Sequence, residues 1–518
     1  MSAKTVVLTV SCLLYAVVMS AQKPGQPSWL DNAVFYQIYP SSFQDSDGNG
    51  IGDLNGIKSR LDYIKSLGVT AIWLNPIYVS GWTDGGYDII DYYKVDERFG
   101  TNSDFVKLVQ EAHNLGIKVV MDLVAGHSSD QCEWFIESSQ APDQRYSDYY
   151  IWPTFKPEVT DSQHAALIRK FVSTDAPRAP FYVKNFYDTQ PALNFGYANP
   201  DPAHPWEQSV DAPGPKAMRR ELKNIMSFWM DKGADGFRVD MAASLVKNDF
   251  DKAETIKLWK EDLCRWFDDE YPEGVLIAEW FNPSQSLETW LDLYCYQRDI
   301  TAGKGYVCMP TGNHDFNRLC TEGRTNPEDL KVAMTFFLTM PGVPFIYYGD
   351  EIGLKQNPAA PSTDGSGFRA GCRIPMLWNS SANAGFSSAP EDKIYIPQDP
   401  DPARMTVDKS ESDPASLLNY VRGLIELRSR VKVLGADAAW KLLSDPHQPY
   451  PMVYERSMPG QRCIVILNPS GKRRTVTLAS QGGTPHRIGG NAASYTYRQK
   501  RQGDIITIPA ASALILEY

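Results

Sequence analysis

Two stretches near the start of this chain repeat one short pattern, and that pattern restricts the fold more than any other feature. Ile57 to Leu67 reads as an amphipathic helix, Gly68 stops it, and the apolar run Ala71-Ile72-Trp73-Leu74 follows. Phe105 to Leu115, Gly116 and Lys118 to Leu123 repeat helix, stop and strand. A glycine just past the last helical turn takes the left-handed conformation that ends a helix. Successive strands joined by helices pair in parallel. Val34 to Tyr39 supplies a first strand, and the alternation runs from about Ala33 to Leu434. Its later members are Ala217 to Lys232, Gly236 to Val239, Lys257 to Tyr271, Val275 to Ala278, Val343 to Tyr348 and Leu417 to Val431. This is an α/β pattern of repeated βα units.

Two regions depart from it. Residues 126–215 are rich in Pro, Asp, Tyr and Trp, lack helical periodicity, and are too long for a loop. They read as a small inserted domain after the third strand, between barrel parts 22–125 and 216–434. Beyond residue 434 the pattern becomes strands and turns, at Met452 to Glu455, Cys463 to Leu467, Thr475 to Leu478, Ile505 to Ile508 and Ala513 to Leu516. A β-sandwich over 435–518 is expected. Residues 1–21 carry Lys4, a nearly unbroken apolar stretch from Val6 to Met19, and Ser20-Ala21. That reads as a signal peptide, too short and early for a membrane span, so the mature chain is expected to be exported, as a periplasmic, secreted or cell-surface protein. The seven cysteines after Cys12 are odd in number and scattered, which fits neither a disulfide framework nor a zinc site. A net charge of −11 argues against nucleic acid as a partner.

Three segments end an apolar run on a carboxylate: Gly236-Phe237-Arg238-Val239-Asp240, Leu276-Ile277-Ala278-Glu279 and Gly312-Asn313-His314-Asp315. Parallel strands of a closed barrel present their carboxyl ends on one rim, where catalytic side chains sit. Three acids converging there, with Arg238, His314 and His127, suit sugar chemistry. Arg238 precedes Asp240 by two positions, so strand alternation turns both side chains to one face.

With these motifs in hand, the chain resembles the α-amylase family of glycoside hydrolases. Gly86-Tyr87-Asp88, Asp122 to His127, Gly236 to Asp240, Ala278-Glu279-Trp280, Asn313-His314-Asp315 and Val343 to Gly353 occur in that family's order. Arg373-Ile374-Pro375-Met376-Leu377-Trp378 is similar to the Arg-Thr-Pro-Met-Gln-Trp segment of the oligo-1,6-glucosidase and trehalose synthase branch. Gln190 to Asn194 is similar to that branch's Gln-Pro-Asp-Leu-Asn, with Ala192 in place of the Asp. The resemblance implies a (β/α)8 TIM-type barrel acting on an oligosaccharide or α-glucan such as a starch fragment. It implies Asp240 as nucleophile, Glu279 as acid/base and Asp315 as transition-state stabiliser. It also implies that Asp88, His127, His314, Asn194, Arg238 and Arg373 bind substrate, with Tyr87 stacking beneath the sugar. Met241 matches neither an α-1,4 nor an α-1,6 preference, so linkage stays open.

Asp45-Ser46-Asp47-Gly48-Asn49-Gly50-Ile51-Gly52-Asp53 reads as a calcium loop. Asp45, Asp47, Asn49 and Asp53 alternate as oxygen ligands, and Ile51 offers its carbonyl. Similar loops bind Ca2+ in this branch. Gly126 stands where many α-amylases carry a calcium-binding Asn, so a second metal site is not expected. One feature departs from the family. Asp315 follows Glu279 by 36 positions, too few for a full sixth βα unit, so the barrel is expected to be distorted or shortened around strand 6. Three functions are consistent with the motifs: a retaining α-glucoside hydrolase, a transglycosylase or isomerase of the trehalose synthase type, and a non-catalytic glucan-binding relative.

Overall fold

The computed structural model describes residues 27–518 apart from 281–286, 303, 322, 402, 448–449, 480–482 and 502. The apolar leader, with Cys12, lies outside the described residues. Seven short strands form one sheet: β1 (Phe35–Ile38), β2 (Ala71–Leu74), β3 (Lys118–Leu123), β4 (Gly236–Val239), β5 (Val275–Ala278), β6 (Cys308–Pro310) and β7 (Val343–Tyr347). Their order is β6-β7-β1-β2-β3-β4-β5, and every pairing is parallel.

Strands β1, β2 and β4 are buried along their whole length, as parallel strands covered on both faces must be. Helices cover the outside. Asn102–Asn114 begins with a capping box from Thr101 and Asp104 and buries Phe105, Leu108, Val109 and Ala112. Pro213–Met230 buries Met218, Leu222, Ile225, Met226 and Trp229. Inside the barrel Phe35 and Phe345 stack with centroids 4.3 Å apart, alongside Trp73, Val120 and Val275. Two expected helices are interrupted. The first is split at Arg60 into Leu54–Ser59 and Leu61–Ser66, and the Arg60 guanidinium lies 4.1 Å from the Trp378 ring centre. The fourth, Lys257 to Tyr271, contains a π turn, Trp259–Leu263, which lets Trp259 sink fully into the core and donate to the Ala242 carbonyl.

The barrel is shortened as expected: among the described residues it has seven strands rather than the full eight. Its edges are β5, which ends where the 36-position interval begins, and β6, which lies near the end of that interval. Within that interval the described residues form helix Leu287–Thr301 and then β6. Trp290 and Tyr294 stack on each other, Trp290 meets Phe336, and the Tyr294 hydroxyl donates to the Pro341 carbonyl. The helix is thus committed to its neighbour Pro327–Thr339. At the seam Leu276, Ile277 and Ala278 are partly exposed, as is Cys308. Edge strands left this way present unpaired backbone groups.

Between β3 and β4 the chain forms short helices, Glu133–Ser138 and Ser162–Ile168, and a two-stranded sheet of Phe171–Ser173 with Phe181–Val183. Phe135 packs against Tyr150, Trp152 and Tyr182, which explains the aromatic composition of this segment. After residue 434 a five-stranded and a three-stranded antiparallel sheet enclose Ile464, Ile466, Ile506 and Leu514. The five sequence-derived strands are present. Ala439–Leu442, His486–Gly489 and Thr496–Lys500 are additional. The seven described cysteines form no disulfide with one another. No helix of the described residues is long and apolar enough to cross a membrane.

Candidate active site

Backbone pairing continues one step beyond the strands and fixes the acids. The Asp240 N–H donates to the Leu123 carbonyl, and the Glu279 N–H donates to the Val239 carbonyl, both at 2.9 Å. Gly236 makes the approach of β4 and β5 possible: its φ is +144°, and a Cβ there would lie 2.0 Å from the Val275 carbonyl oxygen. Only glycine fits that position.

Arg238 is the hub of the rim. Its Nη1 lies 3.0 Å from Asp122 Oδ1 and 2.9 Å from Asp240 Oδ1, while Nη2 lies 2.6 Å from Glu279 Oε1. The register explains the set, because Asp122 on β3 is the pairing partner of Arg238 on β4. Trp73 lies beside the guanidinium at 5.1 Å and donates to Asp122 Oδ2. Three carboxylates therefore share one buried positive charge. Burial and then Glu279 push Asp240 well above the usual carboxylate range, with Arg238 opposing them. Burial likewise raises Asp122, to about 6. Asp122 and Asp240 share this one guanidinium, so the protonation of each depends on the other. The Met241 N–H donates to Glu279 Oε2 at 2.8 Å. Met241 has φ +44°, an uncommon value for a non-glycine residue.

Asp315 stands across the rim. Its Oδ1 accepts from Arg369 Nη1 at 3.0 Å and Arg373 Nη2 at 3.1 Å, and its Oδ2 lies 3.3 Å from His314 Nε2. Burial alone would raise Asp315, but His314 and the Arg373 and Arg369 guanidinium groups hold it well below the usual range. Gln37 and Asn75 amides contact His314 Nδ1, and burial pushes this ring down to about 3, so it is neutral. Gly85, at φ +58°, leaves room for Arg373, whose Nη1 would lie 2.2 Å from a Cβ at that position.

The remaining sequence-derived binding residues occupy varied positions. Tyr87 is buried, stacks on His314 at 5.3 Å and donates to Asp122 Oδ2. His127 has Tyr87 O at 3.2 Å on one ring nitrogen and the Asn185 amide at 3.1 Å on the other; burial lowers it to about 3. Asp88 is buried and accepts from Ser80, Thr83 and Asp84, organising the loop beneath the rim. Asn194 is bound to the Asp148 carbonyl and the Gly196 N–H within the inserted segment. Sequence reading missed Asp122, Asp84 and Arg369. Arg369 Nη2 lies 2.5 Å from Asp84 Oδ1, and this pair joins two loops beside Asp315. Exposed Phe368 precedes Arg369, exposed Phe316 follows Asp315, and the Tyr187 hydroxyl of the inserted segment lies 3.5 Å from Arg369 Nη2.

Away from the rim, the carboxylate oxygens of Asp45, Asp47 and Asp53 gather within 4.8 Å of one another. Asn49 Oδ1 accepts from the Ile51 N–H, and Asp53 also accepts from the Gly56 N–H at the start of a helix. Among the described residues no cationic side chain pairs with these acids. An all-oxygen set of this charge fits a hard divalent cation.

Seven parallel strands with acids at their carboxyl ends define a barrel enzyme of the TIM class. The chain matches the family described as alpha amylase, catalytic domain, over residues 37–275 and 282–437. It is 31% identical to an oligo-1,6-glucosidase of Parageobacillus thermoglucosidasius, covering 86% of this chain and 91% of that one. It is 32% identical to a trehalose synthase/amylase of Mycolicibacterium smegmatis, covering 79% and 77%. A mutant isomaltulose synthase of Erwinia rhapontici NX5 in complex with D-glucose superposes with a TM-score of 0.81 at 25% identity, covering 95% of this chain and 99% of that one. This protein belongs to the α-amylase family of glycoside hydrolases and is an enzyme of that family.

Proposed function

We infer that this protein is a retaining, exo-acting α-glucosidase for short α-glucosides. The observation that carries this reading is the single Arg238 guanidinium that grips both Asp240 and Glu279. One planar group holding two carboxylates keeps them close. Retaining pairs stand about 5–5.5 Å apart, whereas inverting pairs need about 6.5–9.5 Å to admit a water. Asp240 attacks the anomeric carbon. Glu279 delivers a proton to the leaving oxygen, then takes one from water as the glycosyl-enzyme is hydrolysed. Asp315, kept ionised by Arg369 and Arg373, faces the positive charge that develops on the sugar ring. The Asp84–Arg369 bridge closes the rim beside Asp315, which favours a chain end over a passing chain.

Incubation with maltose, isomaltose, panose, pullulan and starch tests the reading. Release of glucose from the short sugars is expected, with little attack on starch; no turnover of any of them overturns it. The similarity to a trehalose synthase supports a second outcome, in which a sugar hydroxyl intercepts the glycosyl-enzyme. Trehalose or longer products from maltose would identify it.

An attacking carboxylate must be ionised, and Asp240 is held above the ordinary range. Activity is therefore expected to fall on acidification earlier than a free aspartate, of pKa about 3.9, would dictate. A profile of kcat/KM against pH checks this; a limb at or below that value contradicts it. The acid loop is read as a structural Ca2+ site with Asp45, Asp47, Asn49, Asp53 and the Ile51 carbonyl as ligands. Calcium at about a hundredfold its Kd is expected to stabilise the fold by about 2.7 kcal/mol. Thermal melts with calcium and with EDTA should differ by several degrees, and Asp45→Asn should remove the difference.

A further inference from the structure

A cavity of about 410 Å³ that the catalytic groups do not use lies against the rim. Met241 belongs to its lining, and the Met241 N–H holds Glu279. Glu279 is read above as the group that protonates the leaving oxygen, so Met241 joins this cavity to the acid/base. Its walls come from the inserted segment and the loop after β4, and they carry four lysines: Lys170, Lys184, Lys247 and Lys252. This concentration of positive charge stands out in a chain of net charge −11.

The charges are poorly compensated. Lys184 pairs with Asp188 on the surface. Lys247 Nζ donates to the Ser244 carbonyl at 2.7 Å and lies 3.4 Å from Asn185 Oδ1, and Lys170 Nζ donates to the Asn185 carbonyl. Those acceptors are neutral. The charged neighbours that act on Lys247 are Lys170 and Lys252, and the one that acts on Lys170 is Lys184. Lys252 has Asp249 and Asp251 near it, but no ion pair forms among the described residues. The acids in the lining, Asp201, Glu207 and Asp249, have other partners, and Asp201 accepts from the Ala203 N–H. Glu207 takes His204 Nδ1 at 2.9 Å, and Asp249 accepts from the Glu254 and Thr255 N–H groups at a helix start. Burial, then Lys170 and Lys252, push Lys247 down to about 7. Clustering half-buried amines with little counter-charge is costly. The cost is recovered when an anion enters, because each charge-assisted hydrogen bond then forms in a partly desolvated site.

We propose that this cavity receives an anionic group, a phosphate or a carboxylate, on the aglycone of the α-glucoside, with Lys247 and Lys170 as its ligands and Lys252 at its margin. The substrate class is thus narrowed to glucosides whose leaving part is negatively charged, an inference that rests on the α-glucosidase reading above. Asn185 links the two sites, since its amide contacts both His127 and Ser244 while its carbonyl takes Lys170.

The test compares maltose with two charged analogues: maltobionate, with a carboxylate on the leaving part, and maltose bearing a 6-phosphate on its reducing glucose. Expected is a kcat/KM for at least one analogue that exceeds that for maltose by about tenfold or more, the scale of one hydrogen bond to a charged group. The preferred analogue tells phosphate from carboxylate. Lys247→Met should bring the ratio near one, and Lys170→Met provides the same reading if the first variant folds poorly. Ratios at or below one for both analogues in the wild-type protein overturn the proposal. Calorimetric binding of the three sugars to the Asp240→Asn protein separates this inference from the hydrolase reading, because it needs no turnover. Tighter binding of a charged analogue there supports the cavity even if maltose is never cleaved, and equal binding of all three overturns it.

Discussion

Asp240→Asn is expected to lower kcat on maltose or isomaltose by roughly 10⁴-fold or more, the scale seen when a covalent nucleophile is removed. The amide cannot form a glycosyl ester, and no other rim carboxylate is placed to replace it: Asp122 lies beneath it, and Glu279 is held by the Met241 amide and Arg238. The fold should survive. Burial and Glu279 already disfavour the charged form of Asp240, so a neutral isostere removes repulsion as well as one contact to Arg238. Kinetics and a thermal melt on one preparation check both halves. Activity equal to wild type contradicts the assignment and supports a non-catalytic relative.

Arg238→Met is expected to cost stability as well as activity. Asp122 is fully buried and Asp240 nearly so, and both lean on this one guanidinium. Removing one partner of a buried charged group costs about 3–5 kcal/mol, because the other charges are left uncompensated. The sign of the pH dependence follows. Asp122 and Asp240 have raised values in the fold, so their contribution is most favourable below the unfolded carboxylate value and is lost as pH rises through the folded one. Without Arg238 those values rise further, so the deficit should be greatest at neutral pH and shrink on acidification. Urea denaturation across that range measures it. Adding Asp122→Asn should recover part of the loss, since it removes one of the stranded charges; a deficit independent of pH contradicts the account.

Much of the barrel was legible because its signals are local. Gly68 and Gly116 mark helix ends, and the apolar runs at residues 71–74 and 118–123 are too short to be anything but strands between them. The placement of Asp240 and Glu279 on the rim followed from the same runs. Even the seam was foreshadowed, since a 36-position interval cannot hold two helices and two strands. What was missed depends on register and on loops. Asp122 was quoted in a motif but not joined to Arg238, because only the pairing of β3 with β4 brings them face to face. Asp84 and Arg369 are 285 positions apart and sit in loops with no periodicity to reveal them. The internal contacts of Tyr87 and Asp88 also depend on tertiary structure: one is stacked on His314 and the other ties the loop from Ser80 to Asp84. Thr496–Lys500 escaped notice because four of its five side chains are exposed, so it lacks the apolar alternation that marks a strand.

The central claim is that Asp240 and Glu279, held by one arginine beside an unpaired seam, still form a retaining pair. The stereochemical course of the first turnover tests it most directly. Proton NMR during cleavage of an aryl α-glucoside should show α-glucose appearing first, with β-glucose accumulating only as mutarotation proceeds. Release of β-glucose first would mean direct attack by water, and would contradict the account.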